Sequence, residues 1–380
     1  MATYYVRTDG ADTNTGTGAS AGSAWKTIGK ALGASGIASG DTVWIAPGTY
    51  REQITVGMTS ATVETFIKGD PTASQFPGVS AGEVILTAYT TNDDTNPTSA
   101  AITLAARDYL SFSDIQFIAF SGGLGTCMDG FTQSSHHIKL IRCSFQGLNT
   151  QAVWFRSTFG TPFDVVVDRC IFRTRSDALV FWADKGTGSN YNLNIDIKSC
   201  VFLNHGAAVG VNISSQGTGT NIGVGGVTVT NCYFESYGGV QVQQGTSSLS
   251  ATVKNCVFST GNIAVNAGTS GEIVEDYNRF VGCGTNRTNV TAGTNSKDGA
   301  TGMDMGENWM LGIKNVIAWY PRANGPNIAK GTATGAPTTD LYGNSFAATP
   351  SVGPVETGTI STGSAGGLIV HPGMTGGMRG

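Results

Sequence analysis

The chain repeats one short phrase seven times, and that repetition limits what it can fold into. Ser113-Asp-Ile-Gln-Phe117, Arg142-Cys-Ser-Phe145, Arg169-Cys-Ile-Phe172, Ser199-Cys-Val-Phe202, Asn231-Cys-Tyr-Phe234, Asn255-Cys-Val-Phe258 and Tyr277-Asn-Arg-Phe280 follow one another. Measured at Ile115, Cys143, Cys170, Cys200, Cys232, Cys256 and Asn278, the steps are 28, 27, 30, 32, 24 and 22 residues. Side chains alternate across a strand, so Cys and Phe two residues apart share a face, and that face is the buried one. Three residues before the Cys position stands another apolar residue, at Phe112, Leu140, Val167, Ile197, Val229 and Val253. An offset of three breaks the period of two, and a two-residue corner restores it. Asp168-Arg169, Lys198-Ser199, Thr230-Asn231 and Lys254-Asn255 are expected to be these corners. A third short strand is expected after each Phe, in Val153-Trp-Phe155, Leu179-Val-Phe181, Val209-Gly-Val211, Val240-Gln-Val242 and Ile263-Ala-Val265.

A coil of three short strands cannot bury its inner face alone, but stacked coils pair every strand with its counterparts above and below. The pattern therefore predicts an all-β chain: a single-stranded parallel β-helix of about ten coils, right-handed by the rule for parallel crossovers. A strand and short helix are expected to cap it within residues 1–40, the body to run over 41–283 and a closing region over 284–356. Residues 357–380 read as a Gly-rich linker and extended tail. Seven cysteines are an odd number, and five of them occupy one inward position on successive coils. Thiols stacked up a parallel ladder sit on Cβ atoms about 5 Å apart, beyond the roughly 3.8 Å a disulfide prefers. They read as free, buried thiols, and their spacing fits no metal site.

The N-terminal stretch Tyr4-Tyr-Val-Arg-Thr-Asp-Gly-Ala-Asp-Thr-Asn-Thr-Gly16 is a strand running into a polar turn. In Ala24-Trp-Lys-Thr-Ile-Gly-Lys-Ala-Leu32, Trp25, Ile28 and Leu32 recur at helical spacing, and Gly40 to Val56 holds two alternating strands around Pro47-Gly48. This order resembles the N-terminal cap and first coil of the pectate-lyase-like, right-handed parallel β-helix superfamily. The resemblance is specific over residues 4–56 and looser to 283. It implies the fold; the superfamily includes polysaccharide lyases and hydrolases, bacterial surface proteins, and phage tailspikes and other virion proteins, so it implies no single function.

A net charge of −4 without a Lys/Arg stripe gives no general attraction to nucleic acid. The sequence has no apolar run long enough to span a bilayer, and its start lacks the charged and apolar regions of an export signal. The expected location is accordingly a virion assembled in the host cytoplasm. The favoured reading is a non-enzymatic phage structural protein, a capsid decoration or tail-associated component built as a homotrimer. Its tail residues Leu368, Ile369, Val370, His371, Pro372, Met374 and Met378 are expected to engage a neighbouring subunit or another virion protein such as a capsid or tail protein. A surface glycan is a further candidate partner: of the adjacent pairs Trp154-Phe155 and Phe181-Trp182 one member each is expected to face outward, as a sugar platform or a subunit contact, and no cofactor or metal is expected.

The alternative is a polysaccharide lyase or glycoside hydrolase acting as a depolymerase. Its residues are Asp168, Arg173, Arg175, Asp177, Asp184 and Lys185, within a charged cluster that begins at Asp164. Lyase chemistry needs Ca²⁺ to acidify the proton beside a uronate carboxylate and a base to remove it, and hydrolase chemistry needs two acids at a set separation. In the lyases that the first coil resembles, several aspartates of adjacent coils gather about calcium, whereas Arg175-Ser-Asp177-Ala offers one. Asn92-Asp-Asp-Thr-Asn-Pro97 reads as a turn rather than a calcium loop. His136-His137 precedes a strand and is expected to send one ring inward and the other out.

Overall fold

The computed structural model describes residues 1–59, 61–89, 100–119, 126–130, 136–147, 151–157, 163–184, 193–204, 208–216, 226–243, 250–268, 272–299, 312–313, 316–317 and 329–356. Apart from the antiparallel pair Gly312–Ile313 and Val316–Ile317, its strands fall into three parallel sheets of ten, nine and ten members, and successive strands visit the sheets in rotation. Sheet A runs from Thr3–Val6 to Glu272–Asp276, sheet B from Gly48–Arg51 to Lys297–Asp298, and sheet C from Ile54–Thr55 to Thr285–Thr288. The result is a right-handed parallel β-helix. Between Thr42 and Thr288 the strands form nine complete coils rather than about ten, with Thr3–Val6 added before them and Lys297–Asp298 after.

From the third coil on, each turns from sheet A to sheet B at one residue in the left-handed region: Asp114, Arg142, Arg169, Ser199, Asn231, Asn255 and Tyr277, with φ of 51 to 58°. The corners thus lie one residue later than the polar pairs suggested, because Asp168, Lys198, Thr230 and Lys254 still belong to sheet A strands. The left-handed residue swings the chain, and the cysteine after it is the second corner residue, turned inward. Each ladder thiol then donates to the carbonyl of the coil before it, Cys143 to Phe112, Cys170 to Leu140, Cys200 to Val167, Cys232 to Ile197 and Cys256 to Val229, at 3.3–3.8 Å. Asn278 continues the ladder with an amide: its Nδ2 donates to the Val253 carbonyl and its Oδ1 accepts from the Cys256 N–H, both at 2.8 Å.

Beside the thiols runs a stack of rings, Phe117, Phe145, Phe172, Phe202, Phe234, Phe258 and Phe280, with centroids 4.7–5.2 Å apart and planes within 9° of parallel. The strand spacing of the sheet sets that distance, and each such pair contributes roughly 0.5–1.5 kcal/mol beyond area burial. Three of the inward columns end on a polar residue: Val253 is followed by Glu275, Cys256 by Asn278 and Phe280 by Asp298. Arg287 ties two of them together, bonding Glu275 at 2.7 Å and Asp298 at 2.6 Å, with its guanidinium 4.3 Å from the Phe280 ring centroid. Asn278 joins the third through Glu275 Oε2 at 2.8 Å. The far end of the core is thereby closed by charge-assisted hydrogen bonds.

At the near end, the helix Ile28–Leu32 buries Ile28, Ala31 and Leu32. Thr27 caps it by accepting from the Lys30 N–H, and the Glu52 carboxylate accepts from the N–H groups of Ile28 and Gly29 at 2.9 and 2.7 Å. Those are the donors a helix start leaves unsatisfied.

Residues 329–356 return along the flank of the coils, over the outer face of sheet B. Leu341, Val352 and Val355 pack there on Val201, Leu203, Tyr233 and Val257. Ser199 bonds the Thr339 carbonyl, Asn231 Nδ2 the carbonyls of Ser351 and Gly353, and Asn255 Nδ2 the Thr332 carbonyl, while Thr332 N–H returns to Asn255 Oδ1. This strap explains the corner residues. Under it they are small and polar and fully buried, Ser199, Asn231 and Asn255, whereas coils before it carry Asp114, Arg142 and Arg169. Asn255→Ala removes both bonds to Thr332 and is predicted to cost about 2–3 kcal/mol. Limited proteolysis should then cut within residues 329–356 well before the coils unfold.

Candidate functional site

The charged residues between Asp164 and Lys185 are close in sequence and dispersed in space. Asp164 and Asp168 lie on the sheet A strand Phe163–Asp168, Arg173 on the sheet B strand Ile171–Thr174, and Arg175 and Asp177 in the bend that leads to sheet C. Asp184 ends the sheet C strand Leu179–Asp184, where its backbone pairs with Gln216, and Lys185 lies outside the described residues. One coil carries these residues past all three sheets, so a run of charges in sequence becomes a belt around the rod rather than a cluster.

Each carboxylate of known position holds a neighbour. Asp168 pairs with the adjacent Arg169 at 2.9 Å. Asp164 accepts from Asn194 Nδ2 at 2.9 Å and faces His137 Nε2 at 3.6 Å. Asp177 spends both oxygens on the next coil, Oδ1 accepting from the Val209 N–H and Oδ2 from Asn212 Nδ2, each at 2.8 Å. Arg173 is half-buried, and burial pulls its guanidinium below the ordinary arginine range. Arg175 is exposed.

The residues that do come together on a surface are aromatic. Trp154 and Trp182 project from the outer face of sheet C on consecutive coils, ring centroids 5.9 Å apart and planes inclined by 30°, while Phe155 and Phe181 face the core. Along the same face Asp129, Trp154, Val180, Asn212, Gln241 and Asn266 form one column, and Arg156, Trp182, Ser214 and Gln243 its neighbour. Such a surface offers flat apolar faces for stacking, bordered by amides and two charges. Alternation within Val153-Trp-Phe155 and Leu179-Val-Phe-Trp182 was the sequence signal for it.

Both histidines of the pair lie at the surface, correcting the expectation that one ring points inward. His137 sits in the bend before the strand with φ 57°. There it stacks on Tyr109 with centroids 4.1 Å apart, and His136 Nδ1 faces Asp108 Oδ1 at 3.2 Å. A left-handed residue before the strand breaks the alternation on which that expectation relied.

All seven cysteines are free. Burial pushes the thiols of Cys143, Cys170, Cys200 and Cys232 well above the usual range, and that of Cys127 up to about 12. Cys127, off the ladder, donates to the Gln146 carbonyl at 3.3 Å, and half-buried Cys283 to that of Phe258 at 3.4 Å. Among the described residues no three His, Cys, Asp or Glu side chains converge as a metal site, and no helix is long and apolar enough to cross a membrane. Asn92–Pro97 and the tail residues Leu368, Ile369, Val370, His371, Pro372, Met374 and Met378 lie outside the described residues.

No protein-family model matches the chain, and no curated protein matches it. Among solved structures it is similar to the crystal structure of pectate lyase Pel9A, at 13% identity over 94% of this chain and 97% of that chain, with a TM-score of 0.38. The β-helix assignment rests on the sheet topology. Asp177→Ala is predicted to lower stability by about 1–3 kcal/mol by leaving the Val209 N–H and Asn212 amide without their acceptor. Urea unfolding of the variant against the parent measures it.

Proposed function

We propose that this protein is a non-enzymatic β-helical scaffold, a structural component of a phage particle in the class of capsid decoration or tail-associated proteins. It works as a homotrimer, assembled in the host cytoplasm, whose C-terminal tails bind a neighbouring subunit or a capsid or tail protein. The observation that carries this reading is the use of Asp177: the acid at the centre of the candidate cluster has both oxygens engaged in fastening one coil to the next. Asp164 and Asp168 are engaged likewise, so the charges of this region serve cohesion between and within coils. The superfamily that residues 4–56 resemble includes virion proteins, which supports the setting.

A second reading has its own observation. The Trp154–Trp182 pair on sheet C suits stacking against sugar rings, so a surface glycan is the ligand this face favours, whether bound by a scaffold or cleaved by a depolymerase using Ca²⁺ and Asp177.

Incubation with a panel of polyuronates and Ca²⁺ is expected to release no unsaturated product, and light scattering to give the mass of three chains. Product release abolished by Asp177→Ala would overturn the scaffold reading. Should a polyuronate bind without being cut, Trp182→Ala is expected to weaken it about tenfold.

A further inference from the structure

The last coil omits a strand. After the sheet C strand Thr285–Thr288 the rotation calls for a strand of sheet A before Lys297–Asp298 resumes sheet B. Residues 289–296 pass through that position without joining the ladder, and among the described residues Glu272–Asp276 is the terminal strand of sheet A. The passing segment is fastened through side chains instead: Gly293 N–H to Glu275 Oε1 at 2.7 Å, and Asn295 N–H to Asp276 Oδ1 at 2.8 Å. It touches the strand at Gly293, where a Cβ would stand 2.2 Å from the Glu275 carbonyl oxygen.

Between the two lies a cavity of about 380 Å³, lined by Glu272, Ile273, Val274, Glu275 and Asp276 and, opposite, by residues of the Asn289–Thr294 segment. Inward and outward side chains of the strand line it alike, which places it along the strand's edge rather than over one face. Val274, an apolar residue in the middle of the strand, is 50% exposed. A strand edge with unpaired backbone groups is a template for one more strand.

We propose that this edge is an acceptor for Leu368-Ile369-Val370 from the tail of a neighbouring copy, which adds as the missing strand of sheet A. The inference rests on the proposed trimer and names the site its tail occupies. Ile369 and Val370 favour strands, and Pro372, which has no N–H for a ladder, ends the segment two residues later. Alternate side chains of the added strand cover Val274 outside and Ile273 inside.

The anchoring of the tail supplies the argument for a neighbour. The strap ends at Glu356, whose N–H bonds Asp340 and whose carboxylate holds Ser351, beside the corner of Asn231. From that corner to Tyr277 is two rungs, about 10 Å. The linker from Thr357 to Gly367 reaches up to roughly 36 Å when extended. With the start of the acceptor at Glu272 a further five residues, about 16 Å, back along the strand, it is about twice as long as its own acceptor requires, and long enough to cross to an adjacent rod. Each tail filling the next copy's edge is a heterologous contact that closes on itself in a ring.

The test uses the full chain with Val274→Cys and Val370→Cys in a Cys283→Ser background, joined by a short bismaleimide, since thiols on neighbouring strands are too far apart for a disulfide. Dimer and trimer bands on a denaturing gel, absent from either single-cysteine chain, are expected. A 274–370 link confined to the monomer band overturns the neighbour assignment, and a trimer by light scattering that yields no link overturns the acceptor while sparing the trimer. A monomer by light scattering overturns both. Independently of cysteine chemistry, Ile369→Pro in the full chain is expected to speed amide exchange at Glu272–Val274 at least about tenfold. Unchanged exchange there means that another segment, or none, fills the edge, and refutes the proposal.

Discussion

The structure depends on the parallel ladder spacing of about 4.8 Å, because it brings identical side chains into register on every coil. At that distance phenyl rings stack face to face and a thiol reaches the carbonyl of the previous coil. The seven-ring column and the thiols beside it are two consequences of one geometric constraint. The corner position points inward, and on the coils from Cys143 on it holds a small residue that gives a donor to a buried carbonyl; on the coil before them Ile115 fills it without one. Cysteine does so at little desolvation cost, and asparagine with a stronger donor and an acceptor besides. Asn278 stands where the ladder needs both, at the last coil.

A stack of this kind has two problems that a globular core lacks: its ends expose a cross-section of the core, and its sides expose strands of repeating composition. The near end is covered by a helix whose N-terminus is held by Glu52. At the far end three inward columns stop on Glu275, Asn278 and Asp298, joined directly or through Arg287. Along the flank, the strap covers the one stretch of sheet B whose outward column is apolar. That column reads Thr49, Ile85, Gln116, Ser144, Ile171, Val201, Tyr233, Val257, Arg279 and Lys297, polar at both ends and continuously apolar only beneath the strap.

Much of this was legible in the sequence. The recurrence of Cys-x-Phe gave the coil, its inner face and the free state of the thiols, since these follow from strand periodicity and ladder spacing alone. The corners were misplaced by one residue because a left-handed conformation at Arg142, Arg169 or Ser199 leaves no mark in residue type; only Asp114, Asn231 and Asn255 favour it. The strap's footprint was visible in Val201-Phe-Leu203 and Tyr233-Phe234, apolar on both faces as a doubly buried strand is, but nothing in residues 329–356 indicates where they dock. The charged run from Asp164 to Lys185 misled for the opposite reason: nearness in sequence is dispersal when a coil of about thirty residues circles the rod.

The account stands or falls on the thiol-and-phenyl lining being a closed interior. Titration of the native protein with an aromatic disulfide reagent reads this directly. Six of the seven cysteines are buried, and only Cys283 has partial exposure. One thiol at most should react before unfolding and all seven after it. Prompt reaction of several thiols in the native protein, or fewer than seven after unfolding under non-reducing conditions, would contradict the stacked interior described here.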